Sequence, residues 1–481
     1  MHSRKAENAS LGSKHQDVEE KNKHFKFKKR SLPSKLDIYW RYLFMILVLW
    51  LLLIQYYERT VVKRAMKKCE WDKWEDWSKS SSTSSAHRVG LFADPQIMDA
   101  YSYPSRPALV NWFTSQILDN YHARNWKFFH YYLKPDTVFF LGDLFDGGRN
   151  WETHEWMAEY ERFNSIFPKK PGHLTVTSLP GNHDIGFGNT IIESSLKRFT
   201  AFFGDPNSQW TVGNHTFVLL DTISLSDRQN VNISSVPREF MQNFAASSPK
   251  YPRILLTHVP LYRDPNQQQC GDRRESKEPF PLMVGLQYQT VIDSDLSQEV
   301  LSTIQPKMVF SGDDHDFCHI KHSYTVNHTP KVAEEITVKS CAMNMGISKP
   351  AIQLISLYNP ENDGKSPTFK TTICYLPNPF KPLICYGISL ALSAAFIFWM
   401  TIFPMSFNDV IVRRIPVKDL DTSSLLPIAT KGRNFLNLES LRIKASRWKV
   451  SQERSVPNFV INMGVLLSSL FFMFAMFYKG K

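Results

Sequence analysis

Apolar positions along this chain fall into two kinds of run. Three runs are long and uncharged: Tyr42–Tyr57 (YLFMILVLWLLLIQYY), a second from Leu383 to Met405, and a third from Phe459 to Tyr478. A helix needs about 20 apolar residues to cross a bilayer core, and each run approaches that length. They predict membrane-spanning helices at 39–57, 383–405 and 457–478. The first is too far from the start of the sequence for a routine signal peptide and lacks its small-residue cleavage site, so it reads as an uncleaved anchor.

The second kind of run is short, β-rich and closed by polar residues. The series is Val89–Asp94, Thr137–Asp143, Leu174–Asn182, Thr216–Asp221, Ile254–His258 and Met308–Asp313. Such runs predict strands buried on both faces. Helical candidates, Pro107–Tyr132 and Trp151–Phe167, lie between them. Alternation of this kind predicts an α/β fold, with Glu335–Ala342 and Ala351–Leu357 expected to complete a second sheet.

The remaining segments follow from composition. Residues 1–38 are polar and Lys/Ser-rich, predicting a disordered tail. Residues 58–87 form a juxtamembrane linker, with Trp71, Trp74 and Trp77 spaced as an interfacial helix and a serine run at Ser78–Ser85. Residues 88–380 are expected to form the main folded domain and 406–456 a basic loop.

Net charge is +12, which by itself would admit a nucleic-acid partner. Its distribution excludes that reading. Residues 70–380 carry about 28 Lys/Arg against about 34 Asp/Glu, whereas the first 41 residues hold about 11 Lys/Arg and 405–456 about 10. The basic parts flank the spans. The positive-inside rule nearly ties across the first span, and the basic loop breaks the tie, placing 1–38 and 406–456 in the cytosol and 88–380 in the lumen. Sequons at Asn214, Asn232 and Asn327 agree with that topology. Five of the six cysteines fall on the luminal side, where disulfides can form, and the pairing is open. No CxxC pair argues for a structural zinc site.

Five of the predicted strands end in a residue able to bind a metal: Asp94-Pro-Gln96, Gly142-Asp143, Gly181-Asn182-His183-Asp184, His258, and Gly312-Asp313-Asp314-His315. Carboxyl ends of α/β strands are where ligands converge. A single Gly-Asp turn or lone His is usually structural; the ordered series of five is far more specific.

In this order the motifs resemble the calcineurin-like metallophosphoesterase superfamily over about 88–345. The resemblance implies a four-layer αββα sandwich, with Asp94 and His315 on one divalent ion, Asn182 and His258 on a second, and Asp143 bridging. It also implies that His183 sits beside the scissile phosphate, oriented by Asp184. Two divalent cations about 3.5–4 Å apart suit phosphate displacement, because they clamp the attacking and leaving oxygens and lower the pKa of bound water. His183 is suited to protonating the leaving group. Arg149, after Gly147-Gly148, is a candidate phosphate contact.

Two positions depart from the superfamily pattern. Gln96 and Asp313 stand where it has histidines. Both changes exchange nitrogen for oxygen, which favours a hard ion such as Mn²⁺ over Zn²⁺. With the three spans, these departures resemble a fungal membrane-anchored branch of the superfamily. That resemblance implies a manganese-dependent phosphodiesterase of the endoplasmic reticulum or early Golgi membrane. Its substrate would be an ethanolamine-phosphate branch on a mannose, the first by overall look, of glycosylphosphatidylinositol (GPI) anchors. The partners implied are GPI lipid or GPI-anchored proteins and the membrane, with no nucleic acid. Another phosphorylated substrate, or an inactive membrane scaffold, is the alternative.

Overall fold

The structure, a computed structural model, describes residues 36–77, 85–100, 102–247, 250–360, 367–411 and 448–479. The serine run, most of the N-terminal tail and most of the basic loop lie outside these residues. Internal contacts divide the chain into two compact units: Met1–Tyr39 with Phe398–Asn462, and Trp40–Ile397 with Met463–Lys481. In the smaller, Asn458 and Asn462 side chains accept the backbone N–H groups of Asp37 (3.1 Å) and Tyr39 (2.9 Å).

The larger unit holds two sheets. One has the order β13-β12-β1-β2-β3, built from Phe369–Tyr375, Ala351–Leu357, His87–Phe92, Thr137–Phe140 and Leu174–Val176. The other runs β10-β11-β9-β6-β5-β4, from Cys318–Val326, Thr329–Thr337, Met308–Ser311, Arg253–Leu256, His215–Leu219 and Ser208–Val212. Strands β1, β2 and β3 are parallel, as are β5, β6, β9 and β11. A small hairpin, β7 (Val284–Gly285) with β8 (Tyr288–Gln289), stands apart.

Alternation explains the layers. Val89, Leu91, Phe139, Phe217, Leu219, Ile254, Leu256 and Phe310 meet in one apolar cluster shared by the two sheets. Their neighbours Phe92, Phe140, Val218, Leu255 and Val309 join a second cluster with helix residues. Those helices include α3 (Ala108–Tyr132) and α4 (Thr153–Ile166), which supply Trp126, Phe129, Trp156 and Phe163, and α8 (Val231–Ala246) and α9 (Ser294–Ile304), which supply Met241, Phe244, Val300 and Leu301. The α/β reading with two sheets and covering helices therefore holds. One strand assignment needs correction. Ala351–Leu357 does not extend the second sheet; it pairs antiparallel with β1 in the first, and Thr329–Thr337 takes the place beside β9. Both segments are short β-rich runs, and nothing local distinguishes their partners.

Among the described residues, three helices are long and apolar enough to cross a membrane: Trp40–Lys68, Phe380–Ile402 and Val456–Tyr478. The first does not stop where its apolar run stops. α1 (Trp40–Gln55) passes through a wide turn at Tyr56–Thr60 into α2 (Val61–Lys68), so much of the expected linker is helical. Glu58, in that wide turn, is buried and pairs with Arg124 of α3. The three tryptophans that follow pack on the domain. Trp71 donates Nε1–H to the Leu133 carbonyl (2.6 Å), and Trp77 stacks on Tyr358 and donates to Ser356 (2.7 Å). Disulfides join Cys69 to Cys374 and Cys270 to Cys318, leaving Cys341 and Cys385 free.

Candidate metal centre

Every predicted ligand follows the carboxyl end of a parallel strand. Asp94 follows β1, Asp143 follows β2, Asn182 opens α5 (Asn182–Ile185) after β3, His258 follows β6, and Asp313 and His315 follow β9. The first three ends belong to one sheet and the others to its partner, so the site spans both sheets at one edge. Backbone bonds tie the edges together. Asp313 N–H donates to Asp94 Oδ1 (3.0 Å), Gly312 N–H to the His258 carbonyl (2.8 Å), and His258 Nδ1–H to the Leu141 carbonyl (2.6 Å).

Chain reversal at these strand ends is abrupt. Asp94, Gln96, Asp143, Asp313 and His315 all have positive φ, between 33° and 65°. Non-glycine residues rarely adopt this conformation, and it persists where the surroundings over-determine it, often at functional sites. Two glycines are required by close approach. A Cβ on Gly142, itself at φ +91°, would lie 2.5 Å from His258 Nδ1, and one on Gly181 would overlap the Asp143 carboxylate.

Six side chains converge in the interior. His258 Nε2 lies 3.3 Å from Asp143 Oδ1, 3.3 Å from Asn182 Oδ1 and 3.6 Å from Asp313 Oδ1. Its Nδ1 lies 3.7 Å from Asp94 Oδ1. Gln96 donates Nε2–H to Asp143 Oδ2 (2.7 Å), which leaves its own Oε1 free. Asp94, Asp143 and His258 offer ligand atoms within 4.8 Å of one another.

The donor set fits divalent cations. Asp94 Oδ2, Gln96 Oε1 and Asp313 Oδ2 are buried acceptors without a hydrogen-bond partner, an arrangement that is costly unless a cation meets them. Electrostatics agree. Burial drives the Asp94 and Asp313 carboxyls above the usual carboxylate range. Burial also opposes charge on His258, but Asp143, Asp313 and Asp94 together push it up to about 10, so its proton serves as the cluster's cation and a metal ion would have to displace it. Asp143 resists its burial because His258 and His183 hold it below the usual range. Burial lowers His315 to about 4, so its imidazole is neutral and able to ligate at neutral pH.

His183 lies at the rim, partly exposed, in a cleft of about 610 Å³ that Asp99, Ser102, Asp146, Arg149 and Glu155 also line. Its N–H donates to Asp143 Oδ1 (2.9 Å), and its ring Nδ1–H to the Asp146 carbonyl (2.6 Å). The residue orienting this ring is thus Asp146, in place of the expected Asp184. The Asp184 carboxylate instead accepts backbone N–H groups of Leu144, Phe145 and Gly181, and burial pushes it up to about 7. Its work is to hold the β2 and β3 turns together. Arg149 reaches the cleft but spends Nη1 on the Asn182 carbonyl (2.9 Å).

Tyr288, on β8, was not foreseen. The half-buried phenol stays protonated well above its ordinary range, through burial first and then the charges of Asp313, Asp314 and Asp143. No motif marks it; the hairpin meets the site through Gln287, whose carbonyl accepts from Asn182 Nδ2 (3.3 Å). Asp146 had a signal in Gly-Asp-Leu-Phe-Asp146-Gly-Gly, three residues after Asp143.

Residues 87–317 match the family model described as Calcineurin-like phosphoesterase. The chain is 56% identical over 455 residues to Cell division control protein 1 of Saccharomyces cerevisiae, covering 92% of each. It belongs to the calcineurin-like metallophosphoesterases. More distant similarity extends to Metallophosphoesterase 1 of Xenopus laevis, 25% identical over 56% of this chain and 71% of that protein, and of Danio rerio, 27% identical over 54% and 69%. Calcineurin-like phosphoesterases use divalent metal ions, and the cluster around Asp143 is where this member would hold them.

Proposed function

We propose that this chain is a membrane-bound, manganese-dependent phosphodiesterase that removes an ethanolamine-phosphate branch, on the first mannose, from GPI anchors. The site is read as facing the lumen of the endoplasmic reticulum or early Golgi. The observation that carries the metal assignment is the set of unpartnered buried oxygens on Asp94, Gln96 and Asp313. Oxygen-rich sites of this kind suit Mn²⁺.

Bound there, two divalent ions supply Lewis acidity and an activated water. The residues do the rest. Asp94 and His315 would hold one ion, Asn182 and His258 the other, and Asp143 would be shared between them, with Gln96 and Asp313 adding oxygen donors. His183, its Nδ1–H fixed on the Asp146 carbonyl, acts in its doubly protonated form: Nε2–H gives its proton to the mannose oxygen as the phosphorus–oxygen bond breaks, leaving a neutral ring. Arg149 helps frame the cleft. Asp99, Asp146, Glu152 and Glu155 line the same cleft, and their negative charge is complementary to the ammonium of ethanolamine.

Two further features support a luminal site. Both disulfides lie in the metal-bearing unit, as expected of an oxidising compartment. The sequon residues Asn214, Asn232 and Asn327 are all exposed, although Asn214 Nδ2 donates to the Asn359 carbonyl (2.9 Å) and must release it to carry a glycan. Mass spectrometry of anchor glycans from cells lacking the protein is expected to show one extra ethanolamine phosphate. An unchanged count overturns the substrate assignment. Purified protein is expected to hold divalent metal, and Asp143→Asn to lose function; metal-free protein together with a functional Asp143→Asn overturns the enzyme reading.

A further inference from the structure

Helix α3 belongs to the metallophosphoesterase domain, and its second half is buried in that domain's core. Its first turns are different: Leu109, Val110, Trp112 and Phe113 are exposed. Contiguous exposed apolar side chains on a folded domain mark a contact surface. Here they form one wall of a groove of about 750 Å³, within the range of a ligand pocket. Trp112, Phe113 and Ile117 face Tyr386 of Phe380–Ile402 and Phe471 and Phe474 of Val456–Lys479. Two of the three walls are thus helices long and apolar enough to span a membrane. Phe471 and Phe472, which line it, are exposed on Val456–Lys479, so in a bilayer the groove would be open to hydrocarbon.

The groove's inner end is polar. Tyr386 Oη–H donates to Glu58 (3.1 Å), which also accepts from Asn120 (2.8 Å) and pairs with Arg124. Arg124 is more than nine-tenths buried, and its Nε–H has no acceptor. A small cavity at this cluster shares Ile117, Tyr386 and Tyr478 with the groove. The cavity at this cluster is only about 10 Å³, too small for an ester or phosphate group, so the apolar groove is shaped for hydrocarbon. The same chain segment also reaches the metal centre. Ser102 lines the cleft beside His183, and Trp112 lines the groove. Ten residues separate them, at most about 35 Å of extended chain.

We propose that this groove seats a fatty acyl chain of the lipid-linked substrate, holding its glycan toward His183. The proposal rests on the reading above that the substrate is a lipid-linked phosphodiester. The test uses full-length protein in phosphatidylcholine nanodiscs containing a small fraction of phosphatidylinositol with a mid-chain diazirine. On irradiation, adducts are expected on α3 between Trp112 and Ile117, outside any membrane span. Ala475→Trp fills the groove from the opposite wall and is expected to cut those adducts about tenfold by steric exclusion. It should leave adducts on Leu49 and Leu52 of α1 unchanged, with the unfolding midpoint retained. Gln116→Trp, filling from the α3 side, gives the same reading if Ala475→Trp is unstable. Adducts confined to the three spans, or α3 adducts that neither variant reduces, overturn the proposal. The labelling does not depend on hydrolysis. Adducts on α3 together with an unchanged ethanolamine-phosphate count in cells lacking the protein would sink the GPI reading and leave the lipid groove standing.

Discussion

Two buried charge clusters lie close together in this fold, and they solve the same problem in opposite ways. Glu335 of β11 is fully buried. It forms an ion pair with Arg263 (2.9 Å) and accepts from His322 (2.6 Å), Ser311 (2.6 Å) and the Leu261 N–H (3.3 Å). Burial alone would raise its pKa, yet Arg263 and His322 hold it below the usual range. Asp94 and Asp313 are buried almost as deeply, but each keeps a carboxylate oxygen with no donor, and both carboxyls are raised. A carboxylate buried for architecture brings its cation with it in the sequence. One buried for chemistry leaves the cation to be supplied from solution.

Four substitutions test that difference. His183→Ala is expected to lower kcat by about 10²–10⁴-fold, the usual worth of a general acid, without changing bound metal. Equal loss of metal and activity would show that His183 is structural. Glu335→Gln is expected to destabilise the fold by about 3–5 kcal/mol, because it strands buried Arg263, and to leave metal stoichiometry intact in the surviving folded protein. Loss of metal without loss of stability would merge the two clusters into one functional unit. Gln96→His should shift ion preference from manganese toward zinc, with metal affinity changing about 10–100-fold; competition between the two ions reads it out.

The smallest effect concerns acid stability. Glu275, bonded to Lys339 (2.9 Å) and Ser348 (2.7 Å), has its carboxyl held down at about 2 against burial, from an ordinary 4.5. A depressed folded pKa gives stability that is complete above about pH 4.5 and is lost as pH falls through about 2. Glu275→Gln should lower stability at neutral pH and remove the pH dependence between about 4.5 and 2, so that the two proteins converge in acid. An equal loss of stability at about pH 2 and at neutral pH would contradict the assignment.

The candidate ligands were readable because each follows a short apolar run and the same pattern of strand then ligand recurs five times in order. The spans were readable because about 20 uncharged residues have few other uses. Glu335 was not readable: it stands in a β-rich run, and alternation says which face it occupies without saying that Arg263 waits there. The partner of Ala351–Leu357 was misplaced for the same reason, since strand pairing depends on neighbours far along the chain. Disulfide pairing was left open, and the fold alone brought Cys69 to Cys374.

What the sequence determined by itself is therefore the order of the ligands, the oxygen character of Gln96 and Asp313, and the three apolar helices, because composition and period are local properties. Tertiary structure decided the rest. It folded five strand ends from two sheets onto one edge, gave the His183 ring to Asp146 instead of Asp184, brought the hairpin of Tyr288 to the site through Gln287, and laid the apolar start of α3 against two spans. Each of these is a distance between residues remote in the chain, fixed by sheet pairing and core packing, which no local pattern encodes.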